Sequence, residues 1–492
     1  MKRSSGILLP LSSLPSPHGI GTMGKSAYEF VDFLKDAGQS WWQLLPLSPS
    51  NCGNSPYSSY SAFAGNPNYI DLDFLAKDWI ITRKSISAID FGNDEESVDY
   101  AKVNAGRELL LRSAFERSRS VLENDIRRFR DENPWAENYS LYMAAKKHFG
   151  MLPWMQWEDR ELRFHRPEAV EKYSRLLREE MDYHCFVQML FYRQWEQLKT
   201  YANEKGIRFM GDMPIYVALD SADVWSEPEF FQLDSEGCPT AVAGCPPDDF
   251  TAEGQLWGNP LYNWDRMRED GYGWWIRRIG NAEKLYDALR IDHFRGLDEY
   301  WAVPADEKTA VNGSWQKGPG MGLAGVLGSW FNNMTFVIED LGLLSDSVRE
   351  LVKASGFPNM AVLQFAFDVG SDSVYLPHNC RENSVCYIGT HDNDTVSGWV
   401  KTRSREELRF ARDYMHITDD EGWSWGMIRT GMATACTLFI ARMQDVLDLP
   451  ESCRINIPGV AEGNWHWRLK KGAASKKTAR KLLEYTKRYR RL

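Results

Sequence analysis

The stretch ALRIDHFRG, residues 288–296, is a short apolar run that ends in an acid, Asp292. Three basic side chains surround this acid in the sequence: Arg290, His293 and Arg295. A run of this kind predicts a buried β-strand that carries a carboxylate out of the core at its end. Because neighbouring cations favour the charged form of a carboxyl group, we expect Asp292 to be an anion. Such an anion is either half of a structural ion pair or a nucleophile.

Further apolar runs of strand length lie on both sides of this stretch. They are WWQLLPL (41–47), IRFMGDMPIYV (207–217), TFVIED (335–340), MAVLQFAF (360–367), SVCYIGT (384–390) and ARMQDVL (441–447). Nearly continuous hydrophobicity indicates strands buried on both faces, as in a parallel sheet covered by helices. Helical patterns at 26–38 and 273–289 precede two of these strands. This alternation predicts an α/β fold.

Acidic residues recur where the predicted strands end. They are Asp212, Glu339, Asp340, Asp392 and Asp394, with His391 beside the last two. If the strands close into a barrel, their carboxyl ends converge on one mouth, and these acids meet there. Any one of them alone is more often a helix cap or half of an ion pair. Several uncompensated acids on one face are costly unless the protein uses them, which favours an active site.

Two long segments interrupt the alternation. The segment near 75–200 is charged and helix-periodic, so it predicts a largely helical insertion within a single catalytic unit of residues 1–492. The segment near 218–272 is rich in Pro, Gly and Asp and predicts a loop-rich insertion. Within it, residues 243–264 contain three glycines and two tryptophans, and we interpret them as a candidate active-site lid.

Composition narrows the class of protein. A net charge of -10 disfavours nucleic-acid binding, which needs a basic surface. The chain has 20 Trp, 21 Tyr and 23 Phe, whose flat faces either fill cores or stack on sugars. The eight cysteines lack the spacing of a zinc site, and no apolar run is long enough for a membrane span. These features predict a cytoplasmic protein, and the basic tail 469–492 predicts a solvated terminal helix or frayed end.

Cleavage of a glycosidic bond needs two carboxyl groups with different pKa values, one as an anion and one as a proton donor. Asp292 suits the anion, and Glu339, which leaves an apolar strand, suits the acid. Asp392 is then a third carboxylate that holds sugar hydroxyls. A metal site at residues 391–394 is an alternative. So is a dinucleotide site at GIGTMG (19–24) or GMGLAG (320–325), although the first lacks the acid expected about 20 residues on and the second opens no evident helix.

Seven stretches resemble the signature sequences of the amylomaltases, which are 4-alpha-glucanotransferases also called disproportionating enzymes. They are SPYSSYSAFAGNP (55–67), GDMPIYV (211–217), PPDDFTAEGQLWGNPLY (246–262), RIDHFRG (290–296), IEDLG (338–342), GTHDNDT (389–395) and NIPGVAEGNWHWRL (456–469). The resemblance implies a (β/α)8 TIM barrel with inserted subdomains and a retaining double displacement. It implies no cofactor and no metal.

By this resemblance, Asp292 is the nucleophile, Glu339 the acid/base and Asp392 the stabiliser of the transition state. The implied substrate-binding residues are Asp212, Arg290, His293, His391, Tyr57, Gln255, Trp257 and Asn464. The implied partners are malto-oligosaccharides and alpha-1,4-glucans, as donor and as acceptor, with neither nucleic acid nor membrane. Two other functions stay open at this point: an alpha-1,4-glucan hydrolase, which uses the same acids, and a glucan-binding protein without activity.

Overall fold

A computed structural model describes residues 2–51, 53–247, 251–342, 344–370, 372–460 and 462–492. Within these ranges the chain forms twelve β-strands. They are β1 Ser4–Leu8, β2 Trp41–Gln43, β3 Arg208–Met213, β4 Ala241–Cys245, β5 Gln255–Pro260, β6 Ala288–Ile291, β7 Glu299–Pro304, β8 Ser314–Lys317, β9 Thr335–Ile338, β10 Asn359–Val362, β11 Ser384–Tyr387 and β12 Leu438–Arg442.

Eighteen α-helices lie in the same ranges. They are α1 Lys25–Asp36, α2 Leu72–Lys77, α3 Arg83–Ser87, α4 Tyr100–Glu132, α5 Trp135–His148, α6 Arg160–Arg163, α7 Pro167–Leu176, α8 Arg178–Glu204, α9 Ala222–Ser226, α10 Trp264–Glu269, α11 Gly273–Leu285, α12 Met321–Trp330, α13 Asp346–Ser355, α14 Val396–Thr402, α15 Arg405–Met415, α16 Gly422–Ala433, α17 Met443–Val446 and α18 Lys476–Arg488. None of them is long and apolar enough to cross a bilayer.

Eight of the strands form a closed barrel in the order β1-β12-β11-β10-β9-β6-β3-β2. Every neighbouring pair is parallel, and β1 completes the ring by pairing with both β12 and β2. The (β/α)8 barrel predicted from the sequence is therefore confirmed. Because the strands are parallel, all eight carboxyl ends open at one mouth.

The sequence did not indicate the first barrel strand and misplaced the last. Strand β1 begins with two serines and a glycine, so it lacks an apolar pattern, yet all five of its residues are buried. A side chain at Gly6 has no room, because a Cβ there would lie 2.5 Å from Trp41 Cβ. The run at 441–447 was predicted as a strand, but the strand is β12 and most of the run forms α17.

Helices α2–α8 occupy the chain between β2 and β3, and the described residues there contain no strand, in line with the helical pattern near 75–200. The loop-rich segment 218–272 also contains two strands that its sequence did not indicate. Strands β4 and β5 form a hairpin in that segment and join β7 and β8 in a four-stranded antiparallel sheet, β5-β4-β7-β8. The side chains of β5 are mostly exposed, which explains why no apolar run marks the hairpin.

Two smaller predictions need correction. The motif at 320–325 does open a helix, α12, with Gly320 at its N-terminal cap. The basic tail forms the predicted terminal helix, α18, but it is packed on α1 and α16, and the guanidinium of Arg491 is buried. That guanidinium donates to the carbonyl oxygens of Met432 and Ser4 at 2.8 and 2.9 Å. The tail is therefore fastened to the start of β1.

Candidate active site

Strands β3, β6 and β9 are neighbours in the barrel, and each brings an acid to the mouth. Asp212 lies in β3, Asp292 directly follows β6, and Glu339 directly follows β9. The backbone fixes these positions, because the Asp292 N–H donates to Met213 O at 2.9 Å and the Glu339 N–H donates to Ile291 O at 3.0 Å. The structure thus brings together three acids that are far apart in the sequence.

Arg290 connects two of these acids. Its Nη1 donates to both carboxylate oxygens of Asp212, at 2.7 and 2.8 Å, and its Nη2 lies 2.7 Å from Asp292 Oδ1. The side chain of Asp212 is fully buried, whereas that of Asp292 is 31% exposed. Burial raises the pKa of Asp212, and the charge of Arg290 opposes that rise. Of these two carboxylates, Asp292 is therefore the more accessible.

The electrostatic surroundings of Glu339 favour its protonated form. Burial and the negative charge of Asp292 raise its pKa to about 7, although two backbone N–H groups stabilise the anion. These are the N–H groups of His293 and Leu341, each 2.8 Å from a Glu339 oxygen. A carboxyl group with this pKa is partly protonated at neutral pH and can both donate and accept a proton.

Of the three basic residues in the RIDHFR stretch, Arg290 forms the ion pair with Asp292, and the surroundings of the other two differ from those that the sequence suggested. Burial lowers the pKa of His293 to about 4, and the nearby Arg295 adds to that effect, so the imidazole is neutral at pH 7. Arg295 itself binds Glu299 at 3.1 Å and lies over the ring of Trp315. Arg290 is thus the cation that pairs with Asp292.

Asp392 lies in the loop after β11, where neighbouring side chains hold it. Its Oδ1 accepts a hydrogen bond from Asn456 Nδ2 at 2.6 Å and lies 3.3 Å from His391 Nε2. Arg454 donates to the backbone carbonyl of Asp392 at 2.5 Å. The Asp394 side chain instead accepts from the backbone N–H of Thr395. Among the described residues, no group of three potential ligands is arranged to hold a metal ion.

Tyr57 joins the two sides of the mouth. Its hydroxyl donates to Asp212 Oδ2 at 2.9 Å, and its ring stacks on His391 with the centroids 5.1 Å apart. Burial and the charge of Asp212 raise the pKa of Tyr57 well above its usual value, so the hydroxyl keeps its proton. Trp465 packs against both rings. Tyr57 therefore belongs to the same cluster as the acids.

Gln255 and Trp257 approach the mouth from β5. The indole N–H of Trp257 donates to Gln255 Oε1 at 3.1 Å, and the indole ring meets His293 edge-on at 4.8 Å. Trp257 is 36% exposed, so part of its face is available to a ligand. In the candidate lid, residues 243–247 and 251–264 form mainly the hairpin of β4 and β5, and residues 248–250 lie outside the described residues.

Asn464 is the predicted site residue that the structure does not bring to the acids. Its side-chain amide bonds within its own loop, accepting from Ile457 N and donating to the carbonyl oxygens of Ile457 and Val460. These contacts favour a role in shaping the loop, and its part in glucan binding stays a prediction. Asn456, in the same quoted stretch, was missed because nothing in the sequence says which amide turns towards Asp392.

The fold and these residues define a class: a barrel enzyme whose mouth carries carboxylates suited to glycosidic bonds. A family model described as 4-alpha-glucanotransferase, Glyco_hydro_77, matches residues 9–474. The 4-alpha-glucanotransferase of Streptococcus pneumoniae is 43% identical over 100% of this chain and 98% of its own. That of Clostridium butyricum is 44% identical over 98% of this chain and 99% of its own.

Solved structures agree with these matches. The amylomaltase from Streptococcus agalactiae in complex with acarbose superposes with a TM-score of 0.97 at 41% identity and covers 100% of both chains. The amylomaltase from Corynebacterium glutamicum, at 18% identity and a TM-score of 0.78, shares the fold over 99% of this chain and 75% of its own. This chain belongs to the 4-alpha-glucanotransferase family, and the resemblance found in its sequence is confirmed.

Proposed function

We propose that this protein is a retaining 4-alpha-glucanotransferase, which cleaves alpha-1,4-glucans and transfers the glucanosyl segment to the 4-hydroxyl of another glucan or of glucose. The activity is the one for which its relatives are named. The observation that carries the proposed mechanism is the contrast between two carboxyl groups at one mouth. Asp292 is accessible and paired with Arg290, whereas the pKa of Glu339 is raised to about 7.

In the first half of the proposed reaction, an Asp292 oxygen attacks the anomeric carbon of the donor glucan. The bond from that carbon to the glycosidic oxygen breaks, and Glu339 gives its proton to the departing oxygen. The products are a β-linked glucosyl ester on Asp292, a released glucan with a free 4-hydroxyl, and an ionised Glu339.

In the second half, the acceptor glucan occupies the place of the released one. Glu339 takes the proton from the acceptor 4-hydroxyl, whose oxygen attacks the anomeric carbon and displaces Asp292. Two inversions retain the α configuration and restore both carboxyl groups. Water as acceptor would give hydrolysis by the same steps.

The remaining site residues hold the sugar in this proposal. Asp212 and Asp392 are hydrogen-bond acceptors for sugar hydroxyls, the neutral His293 is a donor near the reacting ring, and His391 is a second donor there. Tyr57 and Trp257 offer aromatic faces to glucose units, and Gln255 offers an amide. Donor and acceptor are both alpha-1,4-glucans, which are neutral and suit a site without a cluster of cations.

We also propose that the reaction takes place in the cytoplasm. Six cysteines in the described part of the chain carry thiols outside any disulfide: Cys185, Cys238, Cys380, Cys386, Cys436 and Cys453. Free thiols are typical of a reducing compartment.

Product analysis from maltotriose tests the proposed function. A transferase yields glucose together with oligomers longer than maltotriose. A hydrolase yields glucose and maltose without longer products, and a binding protein yields none of these. The Asp292→Asn variant is the matched control, because the amide fills the same space and removes the nucleophile. Absence of longer products from the parent protein would contradict the proposal.

A further inference from the structure

Arg278 is a buried cation outside the mouth, on helix α11. It is only 3% exposed, yet its hydrogen bonds go to oxygen atoms without a formal charge. Nη2 donates to Pro214 O at 2.6 Å, and Nη1 donates to Ile215 O at 3.0 Å and to the Tyr262 hydroxyl at 3.3 Å. Burying a charged group is costly, so a guanidinium used in this way needs an explanation.

The two carbonyl groups that Arg278 holds belong to the turn directly after β3. One residue before this turn, Met213 O accepts the hydrogen bond from the Asp292 N–H at 2.9 Å. Two residues before the turn is Asp212, which binds Arg290. The Tyr262 hydroxyl also donates to Ile215 O, at 2.7 Å. Arg278 and Tyr262 therefore fix the backbone that carries one acid and positions another.

A buried acid, Asp223, lies near Arg278 and holds a second segment of the site. Its Oδ2 accepts from the Ala62 N–H at 2.9 Å, and Ala62 lies five residues after Tyr57. Burial raises the pKa of Asp223 to about 6, while the Ala62 N–H and the charge of Arg278 oppose that rise. Behind the mouth, a cation and an acid thus anchor the two segments whose side chains meet in the Tyr57–Asp212 hydrogen bond.

We propose that Arg278 is a positioning residue for the transfer reaction. It holds the Pro214–Ile215 backbone so that Asp212 keeps its place and, through the ion pairs of Arg290 with both acids, keeps Asp292 in place around the reacting sugar. The inference rests on the proposed function and adds a residue that does not touch the substrate. Its physical basis is that a shift of about 1 Å in a catalytic group can slow a reaction by about a hundredfold.

The first experiment compares Arg278→Met with Arg277→Met by the kcat and KM for maltotriose disproportionation. Arg277 is the preceding residue, and its ion pair with Glu227 lies at the surface. We expect Arg278→Met to lower kcat by about thirtyfold or more and to change KM by less than about threefold. The kcat and KM of Arg277→Met should each stay within about twofold of the parent values. Circular dichroism at the assay temperature establishes that each variant is folded.

A double-mutant cycle separates positioning from a general effect on stability. If Arg278 acts through Asp212, adding Arg278→Met to Asp212→Asn should cost less than about threefold more in kcat. If the two single effects on kcat multiply in the double variant, the inference is overturned. It is also overturned if the kcat of Arg278→Met stays within about twofold of that of the parent.

If Arg278→Met does not fold, the Tyr262→Phe variant tests the same inference. It removes one hydroxyl from the same turn, and we expect a drop in kcat of about threefold or more that disappears in the Asp212→Asn background. An unchanged kcat in Tyr262→Phe would then overturn the inference. A parent protein that fails to disproportionate maltotriose would contradict the proposed function instead, so the two failures are distinguishable.

Discussion

Glu339 makes the pH dependence of this enzyme predictable at the scale of one residue. Its pKa is raised to about 7, and cleavage of the donor needs its protonated form. Because the protonated fraction falls as pH rises through the pKa, kcat/KM for maltotriose should fall above pH ~7. Initial rates between pH 5 and 9 measure this limb. A rate that stays flat up to pH 9 would contradict the role of Glu339.

The roles of Asp292 and Glu339 are separable with a donor whose leaving group needs no proton. Asp292→Asn should stay below about one thousandth of the parent rate with either maltotriose or a glycosyl fluoride. Glu339→Gln should be nearly inactive on maltotriose but should form the glycosyl-enzyme from the fluoride, a gain of about a hundredfold or more. Mass spectrometry of the intact protein detects the covalent adduct. Equal formation of the adduct by both variants would contradict the assignment of Asp292 as the nucleophile and Glu339 as the acid/base.

The sequence predicted that Asp212, Asp292 and Glu339 meet, but it could not predict the charges around them. The spacing of Arg290, His293 and Arg295 is the same whether or not they face Asp292. Burial leaves His293 neutral, and Arg295 forms an ion pair with Glu299 and lies over the ring of Trp315. These effects depend on enclosure and on long-range partners, which local sequence does not contain.

At the scale of elements, strand β5 presents Trp257 to the mouth. We expect Trp257→Ala to lower transfer more than hydrolysis, because an acceptor that binds poorly leaves the intermediate to water. The ratio of longer oligomers to maltose produced from maltotriose measures the effect. Leu256 is a matched control, since it is the neighbouring residue on the strand, is similarly exposed at 37%, and points to the opposite face. An equal or higher ratio in Trp257→Ala would exclude β5 from acceptor binding.

Elements were predictable from sequence where their burial gives a regular pattern. Strands β6, β9 and β11 are apolar runs, and α1 and α11 have clear helical periodicity. Strand β1 was missed because it begins with two serines and a glycine, which are buried but give no apolar pattern. The hairpin of β4 and β5 was missed because its partner strand β7 comes from beyond β6 and because the exposed strand β5 carries no apolar signal.

For the molecule as a whole, Arg491 ties the tail to the barrel. Replacing it by methionine removes hydrogen bonds to several buried carbonyl groups, including those of Ser4 and Met432, of which Met432 O keeps a second donor in Arg3 Nη2 at 2.9 Å. We expect a loss of about 2–4 kcal/mol in the free energy of unfolding, with kcat unchanged because the tail is remote from the acids. Urea unfolding measures this loss, and Lys487→Met, an exposed position four residues earlier on α18, is the control. Equal stability of the two variants would contradict the role given to Arg491.

The seam at which β1 pairs with β12 also constrains how the protein is made. A ribosome delivers β1 first and β12 only after some hundreds of further residues. At translation rates of about 5–20 residues per second, β1 waits for tens of seconds without its partner. An unpaired strand edge exposed for that long is prone to aggregation, so a newly made chain needs chaperone protection until the ring can close.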